Sequence, residues 1–147
     1  MTVTNPIECP YYLISRVTLV VTSALKKGFA EAGVEQVKPA YLGVLLSLWQ
    51  EDGLQVARLG RRAGLEPSTM TGLLDRMERD GLAKRVADPR DRRAQRICLT
   101  TEGRNIQDTV TVVVDRILSK VFEGIPAEQI KAAKDILRQV LGNTHKG

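Results

Sequence analysis

Two groups of polar residues in the middle of the chain have the types and the spacing to bind a polyanion. Three arginines share a turn-forming segment: Arg90, Arg92 and Arg93. Small polar residues, with an arginine one turn later, form the second group: Ser68, Thr69, Thr71, Gly72 and Arg76. Guanidinium groups hydrogen-bond to phosphate and guanine, and short hydroxyl side chains reach base edges without steric conflict. The chemistry these residues offer is therefore noncovalent recognition of nucleic acid.

The charge of the chain is concentrated around these residues. The 147-residue sequence has 22 lysines and arginines against 17 aspartates and glutamates, a net charge of +5. The segment 58–104 holds 12 of the basic and 7 of the acidic residues and so carries the whole excess, and 11 of its 12 basic residues are arginines. This concentration favours double-stranded DNA as the partner over a merely solvated basic surface.

The rest of the composition argues against enzymes, metalloproteins and membrane proteins. Cys9 and Cys98 are too few for a disulfide scaffold, and the single histidine, His145, completes no metal cluster with them. Neither a glycine-rich phosphate loop nor a paired-carboxylate pattern occurs, so we expect no catalysis, cofactor or metal. The apolar runs are far shorter than the roughly 20 residues of a membrane span, and we find no signal peptide, which predicts a cytoplasmic protein.

Apolar residues at three- and four-residue spacing predict six helices that position these groups. The predicted spans are 10–32, 39–51, 54–64, 66–80, 101–123 and 127–141. Gly33 and Gly81 follow the ends of the first and fourth helices, Gly64 ends the third, and Thr100 is a suitable N-cap for the fifth. We expect the fifth helix to be long and continuous.

The fourth predicted helix has two different faces. Four apolar residues fall on one stripe at 100° per residue: Met70, Leu73, Leu74 and Met77. The short polar residues of the first paragraph lie on or beside the opposite face, where Gly72 permits close approach to DNA. Asp75, on this outer face, is expected to pair with Arg79 four residues on, rather than to accept a hydrogen bond from cytosine.

Two short segments with strand-like alternation, 82–87 and 94–99, flank the arginine-rich turn and predict a β-hairpin with a basic tip. Its arginines suit the minor groove next to the major groove that the fourth helix would enter. We expect Asp91 to hold a neighbouring arginine by a charge-assisted hydrogen bond.

In these segments the sequence resembles the MarR winged helix-turn-helix. The residues that carry the resemblance are 54–60, Gly64-Leu65, 68–71, 74–78, Gly81-Leu82 and, above all, 88–93 running on to Leu99-Thr100-Thr101-Glu102-Gly103. The resemblance implies a mainly α fold with a small β-hairpin wing, in one domain over 1–147. It also implies a DNA-binding lobe over 38–99 and dimerisation helices over 1–37 and 100–147.

The resemblance further implies a homodimer that regulates transcription, with the fourth helix in the major groove and the wing arginines at the minor groove. Many members of the family release DNA when they bind a small, often aromatic or phenolic, anion. We therefore expect a sequence-specific regulator, a repressor released by such a ligand. An alternative from the residues alone is a winged helix that coats DNA without sequence preference.

Two further groups of residues bear on the signal to which such a regulator would respond. Tyr12, Arg16, Tyr41 and Trp49 are candidates to line a ligand crevice, with Arg16 holding the anion, but a role in the core or an interface is at least as consistent with their types. Cys9 precedes the first helix, near the region where OhrR-type members of the family carry a peroxide-sensing thiol. Redox sensing through Cys9 is therefore an alternative to ligand binding.

Overall fold

The computed structural model describes residues 3–144 as seven α-helices and a small antiparallel sheet. The helices are α1 Pro10–Glu31, α2 Leu42–Gln50, α3 Val56–Ala63, α4 Pro67–Arg79, α5 Thr101–Asn105, α6 Gln107–Val121 and α7 Ala127–Thr144. The strands are β1 Leu54–Gln55, β2 Ala83–Ala87 and β3 Gln95–Leu99. His145 lies outside the described residues. The expected fold class, mainly α with a winged helix-turn-helix, is confirmed.

The sheet has one strand more than the predicted hairpin. β2 pairs with β3 as expected, and β1 pairs with the other edge of β3, with Leu54 opposite Ile97 and Gln55 opposite Arg96. The third helix therefore begins at Val56 and not at Leu54. Leu54 is buried and contributes to the core, while exposed Gln55 contributes to the sheet but not to the core before the chain turns into α3.

The prediction of one long fifth helix is also wrong. The chain forms two helices there, α5 and α6, and bends between them at Ile106. The side-chain oxygen of Thr100 caps α5 by accepting a hydrogen bond from the Gly103 amide at 3.0 Å, as expected. After the bend α6 packs along α1, while α5 stays against β3. The bend thus allows one continuous segment to contact both the sheet and the first helix.

The core lies between the C-terminal half of α1, the first half of α6 and the lobe formed by α2, α3, α4 and the sheet. All four residues of the predicted inner stripe of α4 are at most 2% exposed. Tyr41 is buried as well, and its hydroxyl donates a hydrogen bond to the Asp80 carboxylate at 2.5 Å. Burial and this carboxylate raise the pKa of Tyr41 to about 12, so the phenol stays protonated and holds the end of α4 against the α1–α2 connection.

The N-terminal half of α1 and all of α7 present apolar side chains to solvent. The most exposed of them are Tyr11, Val17, Leu19, Val20, Ile136 and Leu141, each at least 57% exposed. No residue of α7 is buried in the described chain. None of the described helices has the length and apolar character to cross a membrane. The apolar faces of the N-terminal half of α1 and of α7 are therefore not covered by any other part of residues 3–144.

Candidate nucleic-acid interface

The outer face of α4 is open to solvent along its length. Pro67 occupies the first turn of the helix, where its missing amide hydrogen costs nothing. The side chains of Ser68, Thr69 and Arg76 are exposed, and Gly72 leaves a partly exposed gap between them. The hydroxyl of Thr71 donates a hydrogen bond to the Pro67 carbonyl at 3.2 Å. The start of this face thus consists of short polar side chains, followed by Arg76, whose guanidinium group has no hydrogen bond or ion pair within residues 3–144.

The tip of the wing brings its three arginines to the surface. β2 and β3 run antiparallel up to Ala87 opposite Gln95, and the turn between them contains Arg90, Arg92 and Arg93. All three side chains are exposed. Within residues 3–144, none of the three guanidinium groups has a hydrogen bond or an ion pair with another residue. These cations are therefore available to an external anion.

Asp88 fixes the shape of this tip. Its carboxylate is buried and accepts hydrogen bonds from Gln55 Nε2 at 2.9 Å, Arg96 Nε at 2.9 Å and the Arg90 amide at 2.8 Å. Arg96 also donates to the Gly53 carbonyl at 2.8 Å. The wing is thereby tied to the segment that precedes α3. The hydrogen bonds from Gln55 and Arg90, and the Arg96 charge, hold the pKa of Asp88 below its ordinary value.

Asp91 does not have the predicted role. Its carboxylate accepts a hydrogen bond from the backbone amide of Arg93 at 3.0 Å, and no ion pair joins it to an arginine in the described part of the chain. The carboxylate therefore shapes the turn through the backbone and leaves the guanidinium groups unpaired.

Replacement of Asp88 by asparagine is expected to weaken DNA binding about tenfold and to lower the melting temperature, because an amide NH2 would face donors that now meet a carboxylate. The pH profile provides a second test. Since the folded pKa of Asp88 is depressed, its contribution to stability is present above about pH 4 and disappears as the pH falls through the folded value. Urea unfolding between acid and neutral pH should show a smaller acid loss in Asp88→Asn. Identical profiles would contradict the assigned role of the carboxylate.

A cleft of about 890 Å³ separates the start of α4 from the wing. Thr71, Arg92 and Arg93 line it, together with Arg61 from α3. Sequence reasoning did not select Arg61, which is exposed and has no hydrogen bond or ion pair within residues 3–144. The sequence signal that could have identified Arg61 is its position in the last turn of α3, just before the α3–α4 connection. Arg61 extends the cationic surface across the cleft from the wing to α3.

The predicted pairing of Asp75 with Arg79 is wrong. Asp75 forms an ion pair with Arg85 of β2 at 2.9 Å, and Arg79 Nε lies 3.9 Å from the Asp80 carboxylate. Helical spacing could not reveal Arg85, because this arginine belongs to the strand that packs beside α4. The outer face of α4 therefore carries a carboxylate that is bound by the wing.

The candidate ligand residues differ in their exposure to solvent. Tyr12 and Arg16 are exposed on α1, whereas Tyr41 is only 1% exposed and its hydroxyl is bonded to Asp80. Trp49 is half-buried, and its indole nitrogen donates to the Gly103 carbonyl at 2.9 Å. For Tyr41 and Trp49 the geometry favours the core role that the sequence left open. Cys9 is half-buried at the N-cap of α1.

Comparison with known proteins identifies a matching family and relatives of this chain. The MarR family model matches residues 39–94, a range that contains α2 to α4 and most of the wing. The organic hydroperoxide resistance transcriptional regulator of Bacillus subtilis is 32% identical over 108 residues, which cover 74% of this chain and 71% of that protein. The chain belongs to the MarR family. It is thus a winged-helix member of a family of DNA-binding transcriptional regulators and not of enzymes.

One further sequence relative and two solved structures are also similar to this chain. TtmR, an HTH-type transcriptional regulator of Methylorubrum extorquens, is 44% identical over 73 residues, which cover 50% of this chain but only 37% of TtmR. The PcaV regulator of Streptomyces coelicolor, solved with its natural ligand, superposes with a TM-score of 0.81 at 26% identity over 95% of this chain and 96% of PcaV. Reduced AbfR bound to DNA gives a TM-score of 0.72 at 25% identity over 90% and 89% of the two chains.

Proposed function

We propose that this MarR protein is a homodimeric, sequence-specific DNA-binding regulator, a repressor that a small anion releases from its operator. The observation that carries the proposal is that α4 exposes short polar side chains beside a wing whose three arginine side chains have no hydrogen bond or ion pair within residues 3–144. A major groove accommodates one α-helix, and an arginine at a wing tip reaches the adjacent minor groove. AbfR, a structural relative, has been solved on DNA.

Each element has a distinct role in this proposal. Base edges are contacted by Ser68, Thr69, Thr71 and Arg76, while Gly72 allows α4 to approach the groove floor. Arg90, Arg92 and Arg93 enter the minor groove, where the negative potential is strongest over narrow A·T-rich stretches. Such a protein acts on DNA in the cytoplasm.

The uncovered apolar faces support the homodimer. Monomeric proteins rarely leave several neighbouring large apolar side chains exposed on two helices, and a symmetric dimer would cover them with the same surface of a second copy. The segments 1–37 and 100–147 form the dimerisation region in this proposal, and 38–99 form the DNA-binding lobe. A twofold axis would then place two copies of α4 on successive major grooves.

A binding-site selection tests the central proposal. The protein is incubated with random duplexes, the bound fraction is amplified, and the affinities for the selected and a random duplex are compared at physiological salt. We expect a preference of about 1,000-fold or more for the selected duplex, and a palindromic site if the protein is a dimer. Equal affinities would contradict the proposal and favour the alternative of nonspecific DNA coating. Sedimentation as a monomer at micromolar concentration would contradict the dimer.

A ligand that controls release is proposed to bind near Tyr12 and Arg16. Arg16 supplies an exposed cation on the otherwise apolar N-terminal part of α1, and Tyr12 supplies an aromatic surface beside it. These two groups suit an anion with an aromatic or phenolic body. PcaV, a structural relative, was solved with its natural ligand.

Redox control through Cys9 is the second candidate, and its support is the similarity to the hydroperoxide-resistance regulator of Bacillus subtilis. Oxidation of a half-buried thiol at the start of α1 would alter packing at a helix that we assign to the dimer. If Cys9 is the sensor, an organic hydroperoxide lowers DNA affinity in the wild type and leaves Cys9→Ser unaffected, while Cys98→Ser responds like the wild type. An unchanged affinity in the wild type, or a preserved response in Cys9→Ser, would exclude this candidate.

A further inference from the structure

Arg85 connects the wing to the outer side of α4. It lies in the middle of β2, and its side chain is only 23% exposed. One guanidinium nitrogen is 2.9 Å from an Asp75 oxygen and 3.3 Å from the Thr71 carbonyl, while another forms an ion pair with Glu78. A single side chain from the wing therefore contacts α4 at three positions over two turns.

The acceptors of Arg85 lie on the flank of α4 that faces the wing. Thr71, Asp75 and Glu78 are spaced by four and three residues, which places them on one side of the helix. Asp75 also borders the face that we assign to DNA, and its side chain is 64% exposed. Without a partner, this carboxylate would be free to repel phosphates or to accept a hydrogen bond from cytosine.

We propose that Arg85 is a positioning residue for sequence readout: it holds α4 in register with the wing and keeps the Asp75 carboxylate away from the bases. The inference rests on the proposed DNA binding, and it concerns how that binding becomes specific. Arg85 itself is occupied by its three acceptors, so it contributes no base contact. Its effect on DNA passes through α4.

The planar fork of arginine is required for this role. A guanidinium presents several donors in fixed directions and so serves two carboxylates and a carbonyl together, whereas a lysine ammonium is a point charge that does not reproduce this fork. Arg85→Lys therefore preserves the charge of the wing but not the geometry. The Arg85→Lys variant therefore distinguishes a positioning role of Arg85 from general electrostatic attraction to DNA.

Lys84 offers a matched control on the same strand. It is exposed, next to Arg85, and forms no ion pair within residues 3–144. Arg85→Met and Lys84→Met each remove one positive charge from β2. A purely electrostatic role predicts the same loss of affinity for both variants on every duplex.

The experiment measures the affinities of wild type, Arg85→Met, Arg85→Lys and Lys84→Met for the wild-type-selected duplex and a random duplex, and repeats the site selection with each variant. We expect both Arg85 variants to lower the ratio of selected to random affinity about tenfold. Their selected sites should admit cytosine where the wild type excludes it. Lys84→Met should lower the affinity for both duplexes by the same factor and leave the selected sequence unchanged.

Three results would overturn the inference. If Arg85→Met behaves like Lys84→Met, or if Arg85→Lys retains the wild-type ratio and site, charge alone explains Arg85. A wild type that binds both duplexes equally would contradict the proposed function and this inference together. Thermal unfolding accompanies each variant, and Arg85→Lys, which retains the charge and most of the side chain, decides the matter if Arg85→Met is poorly folded.

Discussion

Replacement of Arg92 and Arg93 together by alanine is expected to weaken binding to the selected duplex by about 100-fold at physiological salt. Both guanidinium groups are exposed at the wing tip and without an intramolecular partner in the described chain. They therefore have no internal interaction to give up on binding phosphate or the minor groove. Because their removal leaves no buried group unsatisfied, the melting temperature should stay close to that of the wild type.

The salt dependence provides the more specific measurement. Each phosphate neutralised by a cation contributes about −0.9 to the slope of log affinity against log salt, so loss of two contacts should flatten this slope by about 2. Lys131→Ala with Lys134→Ala is the control, because it removes the same charge from exposed positions of α7, far along the chain from the wing. An unchanged slope in the wing variant, or an equal change in the control, would refute the assignment of the wing to DNA.

Gly103→Ala is expected to reduce the free energy of unfolding by about 3 kcal/mol. A Cβ atom at this position would lie 2.1 Å from the Leu82 carbonyl oxygen, which is backbone and cannot rotate away. That oxygen also accepts a hydrogen bond from the Thr100 amide at 3.1 Å. Relief of the clash would therefore separate α5 from the turn before β2 and disturb the cap of α5.

Urea unfolding of Gly103→Ala and Gly142→Ala measures this effect against a matched control. A Cβ at Gly142, near the end of α7, would meet nothing within 4 Å, so alanine there should leave stability unchanged or raise it by less than about 1 kcal/mol. A Gly103→Ala protein as stable as the wild type would show that the backbone at Leu82 can shift at little cost.

The sequence predicted the parts of the fold that depend on local periodicity. The inner stripe of α4, the wing strands and the Thr100 cap follow from apolar spacing and from the preference of threonine for helix N-termini. β1 was missed because two residues are too few to show alternation, and they pair with residues 41 and 43 positions later in the chain. The bend at Ile106 was missed because the apolar spacing continues through it.

The interactions that shape the candidate site were the hardest to predict. Asp88 and Arg85 both owe their roles to partners on other elements: Gln55 before α3 for the first, and Asp75 on α4 for the second. Helical spacing favoured a partner four residues away from Asp75, but the strand beside the helix offered a better placed guanidinium. Tertiary neighbours decided these pairings, and a single sequence does not contain them.

The indole–carbonyl hydrogen bond from Trp49 to Gly103 gives the protein a built-in optical probe. Trp49 is the only tryptophan in the chain, so its fluorescence comes from one place, the junction between α2 and the start of α5. Emission is sensitive to the polarity around an indole ring. Titrations with duplex, anion or hydroperoxide can therefore be followed on the unlabelled protein, and a change in emission would report a change in the surroundings of this junction.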